Sequence, residues 1–133
     1  HEIDIIYISN HGGRQLDFGL GTTEVLTEII NTTKDHCEIY VDGGFYRGAD
    51  ILKAICLGAT AIGLGRLYGY GMAADGVDGI IRILEILEEE IINAMANLGV
   101  TTLSELNKDL ICTSEPVVEP TAFSAFLPVK ISH

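Results

Sequence analysis

Three short apolar runs punctuate the first half of the chain, at Ile3 to Ile8, Glu38 to Val41 and Thr60 to Leu64. Each runs into glycines and then into a segment with helical spacing. Apolar character on both faces is the pattern of parallel strands covered by helices. Behind Thr22 or Thr23, residues Val25, Leu26, Ile29 and Ile30 recur at three- and four-residue spacing, which predicts a capped helix through Asn31. Asp50 to Leu57 predicts a second helix, closed by Gly58. A third is expected from Val77 to Leu98, with Ile80, Ile83, Leu84, Leu87, Ile91 and Met95 on one stripe and Gly99 at its end. That stripe lasts only about three heptads, too short to favour a coiled coil.

Strand–helix alternation of this kind implies βαβ units with right-handed crossovers on a parallel sheet. Three units do not close a barrel and would leave sheet edges and one side of the core uncovered. Past Gly99 the pattern weakens: Thr102 to Leu106 reads as a short capped turn, and Pro116 to Pro128 as an irregular tail over the surface. The expected organisation is βα units over 1–99 and an extension over 100–133.

Composition narrows the classes. A hydrophobic fraction of 47% in 133 residues excludes a disordered chain. No apolar stretch approaches the ~20 residues of a transmembrane span, and no secretory leader pattern opens the sequence. The first residue is His1, so the natural N-terminus is expected upstream. A net charge of -11 argues against nucleic acid, while leaving room for a small anion in a local pocket. The late acidic group Glu85, Glu88, Glu89 and Glu90 reads as a solvated helix face. Cys37, Cys56 and Cys112 are odd in number and contain no C-x-x-C pair. They suit free thiols in a reducing, cytoplasmic setting, with no zinc site and with Cys56 as a core residue.

The candidate chemistry sits where the apolar runs end. Ser9-Asn10-His11-Gly12-Gly13-Arg14-Gln15-Leu16-Asp17 places an imidazole, a guanidinium and a carboxylate beside two glycines. Histidine takes a proton near neutral pH, and arginine grips a carboxylate through paired hydrogen bonds. By spacing alone, a structural loop histidine remains the competing reading. Asp42-Gly43-Gly44-Phe45-Tyr46-Arg47-Gly48 and Gly63-Leu64-Gly65-Arg66 each bring glycines and an arginine to a strand end. Two such loops in successive units suit a cradle for one phosphate group.

On these residues the sequence resembles the FMN-dependent α-hydroxy-acid oxidases and dehydrogenases. That family includes glycolate oxidase, lactate oxidase, mandelate dehydrogenase and flavocytochrome b2. Ser9 to Asp17 is similar to the family's active-site signature, and Val41 to Arg66 to its FMN-phosphate segment. The resemblance implies the C-terminal portion, about three βα units plus tail, of a TIM (β/α)8 barrel. It implies FMN as cofactor and a small L-2-hydroxy acid as substrate, oxidised to the 2-oxo acid. His11 would be the base and Arg14 the carboxylate grip, both touching substrate. Ser9 would contact the flavin, and Asp42, Gly43, Gly44, Phe45, Tyr46, Arg47, Gly65 and Arg66 would line the ribityl and phosphate end. The full-length protein is expected to be a homo-oligomer, and the chain alone to be inactive.

Three departures from the family pattern bear on the site. Tyr46 stands where many members have an arginine, with Arg47 one place later. The loop after Asp17 is Phe18-Gly19-Leu20-Gly21, without the usual proline. Leu67 replaces a proline after Gly-Arg. Asp17 either orders the His11 loop or helps bind substrate, and Tyr68 and Tyr70 read as packing residues. The rival readings are a different FMN barrel, such as a type 2 isopentenyl-diphosphate isomerase, and a truncated non-catalytic fragment.

Overall fold

The computed structural model describes residues 3–33 and 36–114. Strands β1 (Ile5–Ile8), β2 (Glu38–Val41) and β3 (Ala61–Ile62) form one parallel sheet in that order. Ile5 lies opposite Glu38 and Ile8 opposite Val41, while Tyr40 and Val41 face Ala61 and Ile62. β3 is shorter than the expected Thr60 to Leu64, yet its pairing continues past both ends. Thr60 N–H donates to Ile39 O at 2.7 Å, Thr60 Oγ1 accepts from Ile39 N–H at 3.1 Å, and Gly63 N–H donates to Val41 O at 2.8 Å.

One face of this sheet is covered by α1 (Thr22–Thr33) and α2 (Gly48–Leu57). Ile8, Ile39 and Val41 meet Leu26, Phe45, Ala54 and Ala59 there, with Leu26 and Val41 fully buried. The opposite face carries Ile5 and Tyr7, which stay 44% and 56% exposed. A second core joins Leu52 and Cys56 of α2 to Leu106, with Ile91 and Met95 packed against it. Cys56 is thus the core residue expected of it.

α2 starts at Gly48, two residues before Asp50, because its first amide is capped from afar. Gly48 N–H donates to Glu90 Oε2 at 2.7 Å. Gly58 closes the helix at φ 113, where only glycine sits without strain. Further along, Thr102 caps a single turn (Leu103–Glu105) whose Glu105 carboxylate accepts from the hydroxyls and amides of Thr101 and Thr102. Those bonds, the Thr102 hydroxyl first, bring the Glu105 carboxyl down to about 2. The tail from Pro116 to Pro128 lies outside the described residues.

The largest difference from the hydropathy pattern is α3 (Arg66–Leu98). Its latter part is the expected helix, but helical backbone begins at Arg66 and is interrupted at Asp75 and Gly76. The two segments, 66–74 and 77–98, touch through bare backbone. A Cβ on Gly71 would fall 2.7 Å from Gly79 O and 2.6 Å from Ile83 Cδ1, and a Cβ on Gly79 would strike Gly71 O. Two glycines therefore allow the early segment to lie against the later one.

This contact makes a testable point. Gly79→Ala should lower stability by roughly 1–3 kcal/mol, the usual cost of forcing a methyl group into a filled site. A urea midpoint indistinguishable from that of the parent chain would refute the close approach.

Candidate functional site

Because the strands are parallel, the loops that leave them gather at one edge of the sheet. They enclose a cavity of about 240 Å³. The first loop contributes His11, Gly12 and Arg14, the second Asp42 to Tyr46, and the third Gly63, Gly65, Arg66 and Leu67. The volume lies below the ~300–1,000 Å³ of a pocket that encloses a whole drug-sized ligand, so it suits one end of a larger molecule.

The first loop is a tight turn. His11, Gly12 and Gly13 all have positive φ, at 52, 64 and 72. For a histidine this left-handed conformation costs roughly 1–2 kcal/mol, offset here by local bonds. Asn10 Oδ1 accepts from Gly12 N–H at 3.0 Å, Asn10 Nδ2 donates to Leu20 O at 3.3 Å, and Ser9 Oγ accepts from His11 N–H at 3.2 Å. Ser9 thus shapes the turn from outside the cavity lining. The imidazole Nδ1 is bonded to Gln15 Oε1. Gln15 is thus a loop residue that touches His11.

The second loop is pinned from two sides. Asp42 N–H donates to Ile8 O at 3.1 Å, and the buried Thr22 hydroxyl donates to Asp42 O. Gly43 follows at φ 97, and a Cβ there would lie 3.0 Å from Thr22 Oγ1. Asp42 Oδ1 is buried without a hydrogen-bond partner among the described residues. Phe45 turns into the core at 5% exposure while also closing the cavity floor. Tyr46 remains at the wall. Burial raises its phenol pKa, the Arg66 charge opposes that, and a hydrogen bond with Tyr70 adds to it.

Two arginines that looked alike in sequence part company here. Arg66 lines the cavity, and a Cβ on Gly12 would lie 3.8 Å from its Nη2, so the guanidinium rests over the first loop. Arg47 points away to Glu90, with Nη2 to Oε1 at 2.7 Å and Nε to Oε1 at 2.8 Å. Glu90 is therefore not part of a solvated face. Its side chain is 25% exposed, whereas Glu85 and Glu89 remain outside beside Arg82. The Arg47 hydrogen bond, assisted by the Gly48 amide, holds the Glu90 carboxyl below its ordinary range despite partial burial.

Residues 1–113 match the family described as FMN-dependent dehydrogenase. The chain belongs to that family. It is 47% identical over 111 residues to L-lactate dehydrogenase (cytochrome) of Saccharomyces cerevisiae, covering 80% of this chain and 19% of that protein. It is 42% identical to 2-hydroxyacid oxidase 2 of Homo sapiens, over 84% of this chain and 32% of the relative. Its backbone superposes on flavocytochrome b2 with sulfite bound at a TM-score of 0.79, with 45% identity over 82% of this chain and 30% of that one. A mandelate oxidase structure gives a TM-score of 0.75 at 42% identity, over 78% and 32%. The chain thus spans between a fifth and a third of these relatives' lengths. Its three parallel strands and their helices match part of their TIM barrel.

Members of this family use FMN and act on 2-hydroxy acids, and the cavity's chemistry fits one end of that cofactor. Arg66 stands at the first turn of α3, where free amides already favour an anion. Nothing lies within 4 Å of a Cβ built on Gly44 or Gly65, so the wall is open there. Asp42 supplies an acceptor short of donors, as a polyol chain requires. Sequence reasoning named most of these positions. It missed Thr22, Asn10 and Gln15, whose only signal was a polar residue flanking a glycine loop.

Glu90 yields a pH prediction with a definite sign. Its folded pKa lies below the ~4.3 of an unfolded glutamate. The stabilisation is therefore present above that value and is lost as pH falls through the folded pKa. Glu90→Gln should be less stable than the parent at pH 6 to 7, and the gap should close below about pH 4. Equal gaps in urea titrations at pH 7 and pH 3.5 would remove Glu90 from this role.

Proposed function

We propose that this chain supplies the catalytic base, the carboxylate-binding arginine and the FMN-phosphate loops of an enzyme that oxidises a small L-2-hydroxy acid to the 2-oxo acid. The observation that carries the reading is the meeting of His11, Arg14 and Arg66 around one cavity built by three successive strand ends. In this reading the chain forms the C-terminal units of a TIM barrel, completed by further βα units over the uncovered face of Ile5 and Tyr7.

Arg14 grips the substrate carboxylate through its planar fork and so fixes the α-carbon relative to the imidazole. With Gln15 Oε1 on Nδ1, His11 has Nε2 available to take the substrate proton. FMN, when bound, would supply the oxidant, taking up the two electrons and the second of the two hydrogens that the substrate loses, the first going to His11 as a proton. Arg66 and the amides at the start of α3 hold its phosphate, with Tyr46 at the same wall and Gly43 and Gly44 along the ribityl chain. Arg47 has a different duty. Glu90 already pairs with its guanidinium and accepts from the first amide of α2, so a carboxylate of this chain stands where an anion would bind that helix end.

Two outcomes follow in a polypeptide that contains the complete barrel. Arg66→Ala should weaken FMN retention by roughly 10- to 150-fold, the loss of a charge-assisted contact of about 1.5–3 kcal/mol. Arg47→Ala should leave FMN affinity within twofold while lowering the urea midpoint. Equilibrium dialysis of FMN that ranks the two arginines the other way would reverse their assignment.

The base is tested by its own kinetics. His11→Asn should retain FMN yet slow flavin reduction by a 2-hydroxy acid ~10²–10⁴-fold, the usual contribution of general-base catalysis. Near-normal bleaching in anaerobic stopped flow would end the assignment of His11.

A further inference from the structure

Tyr7 lies on the face of β1 that no described helix covers, yet its hydroxyl reaches a crowded place. A Cβ built on Gly63 would collide with that hydroxyl, and would stand 3.0 Å from Asp42 Cβ. The phenol oxygen and the Asp42 side chain therefore converge on the space that Gly63 leaves bare. The hydroxyl comes within reach of a bond to the Asp42 carboxylate, and the ring is braced edge-on by Tyr40, with centroids 6.4 Å apart and planes at 80°. Enclosure of the hydroxyl, then the Asp42 charge, then that bond raise the Tyr7 pKa, so the phenol remains a donor at neutral pH. Asp42 meanwhile lines the cavity and, among the described residues, has no ion pair and keeps Oδ1 buried without a hydrogen-bond partner.

We infer that Tyr7 is a positioning residue for Asp42, fixing its carboxylate at the cavity wall in the orientation that accepts a hydroxyl of the FMN ribityl chain. An aspartate turns freely about its terminal torsion unless a donor holds it. A carboxylate offers about four acceptor positions, so one phenol leaves capacity for a ligand hydroxyl. The three parts depend on one another. Without the Gly63 gap the phenol has no path, and without the phenol the carboxylate has no fixed plane. This inference rests on the proposed FMN reading, which it extends to a residue on the neighbouring strand.

Two measurements on a polypeptide that contains the complete barrel separate this role from general packing. Spectrophotometric titration of phenolate absorbance, with the Tyr7 contribution taken as parent minus Tyr7→Phe, should show Asp42→Asn moving Tyr7 towards the ordinary tyrosine range. Quenching of flavin fluorescence should show Tyr7→Phe weakening FMN about tenfold, as expected for loss of a bond to a charged group. Lumiflavin, which lacks the ribityl phosphate, should bind both proteins alike, and Tyr7→Phe should have no added effect on FMN in an Asp42→Asn background. Gly63→Ala should reproduce the FMN-specific loss with every tyrosine retained. Equal FMN affinity in parent and Tyr7→Phe overturns the inference while the cofactor reading stands. So does an equal loss for FMN and lumiflavin, or a Tyr7 titration indifferent to Asp42→Asn. Failure of the parent to bind FMN at all overturns both.

Discussion

Parallel pairing of β2 with both neighbours obliges all three strands to end at one edge, so the loops that follow have no choice but to meet. Everything at the cavity inherits its position from that register. Asp42 follows Val41, which is paired to Ile8 on one side and Ile62 on the other, and the backbone bond from Asp42 to Ile8 continues the ladder into the loop. An antiparallel strand would have carried one loop to the opposite edge and left the others without a third wall.

The same geometry delivers the N-termini of α1, α2 and α3 near that edge, and the structure uses the last two differently. At α2 the orphan amide of Gly48 is met by Glu90, reached from 42 residues away. At α3 no carboxylate among the described residues fills the corresponding place, and Arg66 adds positive charge beside it. An internal carboxylate at one helix and an open end at the other concentrate anion affinity in a single location.

Strands and the main helices were legible in the sequence because local pattern and tertiary burial agree there. Leu26 and Leu87, both in the apolar stripes that periodicity assigned, are buried, and so is Val41 at the end of its apolar run. Legibility failed where distant contacts decide. Residues 66–74 include Gly69, Gly71 and two tyrosines, a weak helix signal that no local rule converts into helix. Arg47 and Arg66 look equivalent beside their glycines, and only Glu90 distinguishes them. Glu90 itself reads as one more charge in an acidic run. Tyr7 sits in an apolar strand as a residue of good strand propensity, and nothing adjacent announces that Gly63 has made room for its hydroxyl.

The glycine-to-glycine contact between the two parts of α3 reaches beyond helix packing. Arg66 opens the shorter segment directly after Gly65, and the later part of that segment is seated where Gly71 meets Gly79. An enlarged side chain at that seat would push the shorter segment, which carries Arg66, away from the longer one. Gly79 is not among the residues lining the cavity, yet it bears on the cavity through the segment that Arg66 begins.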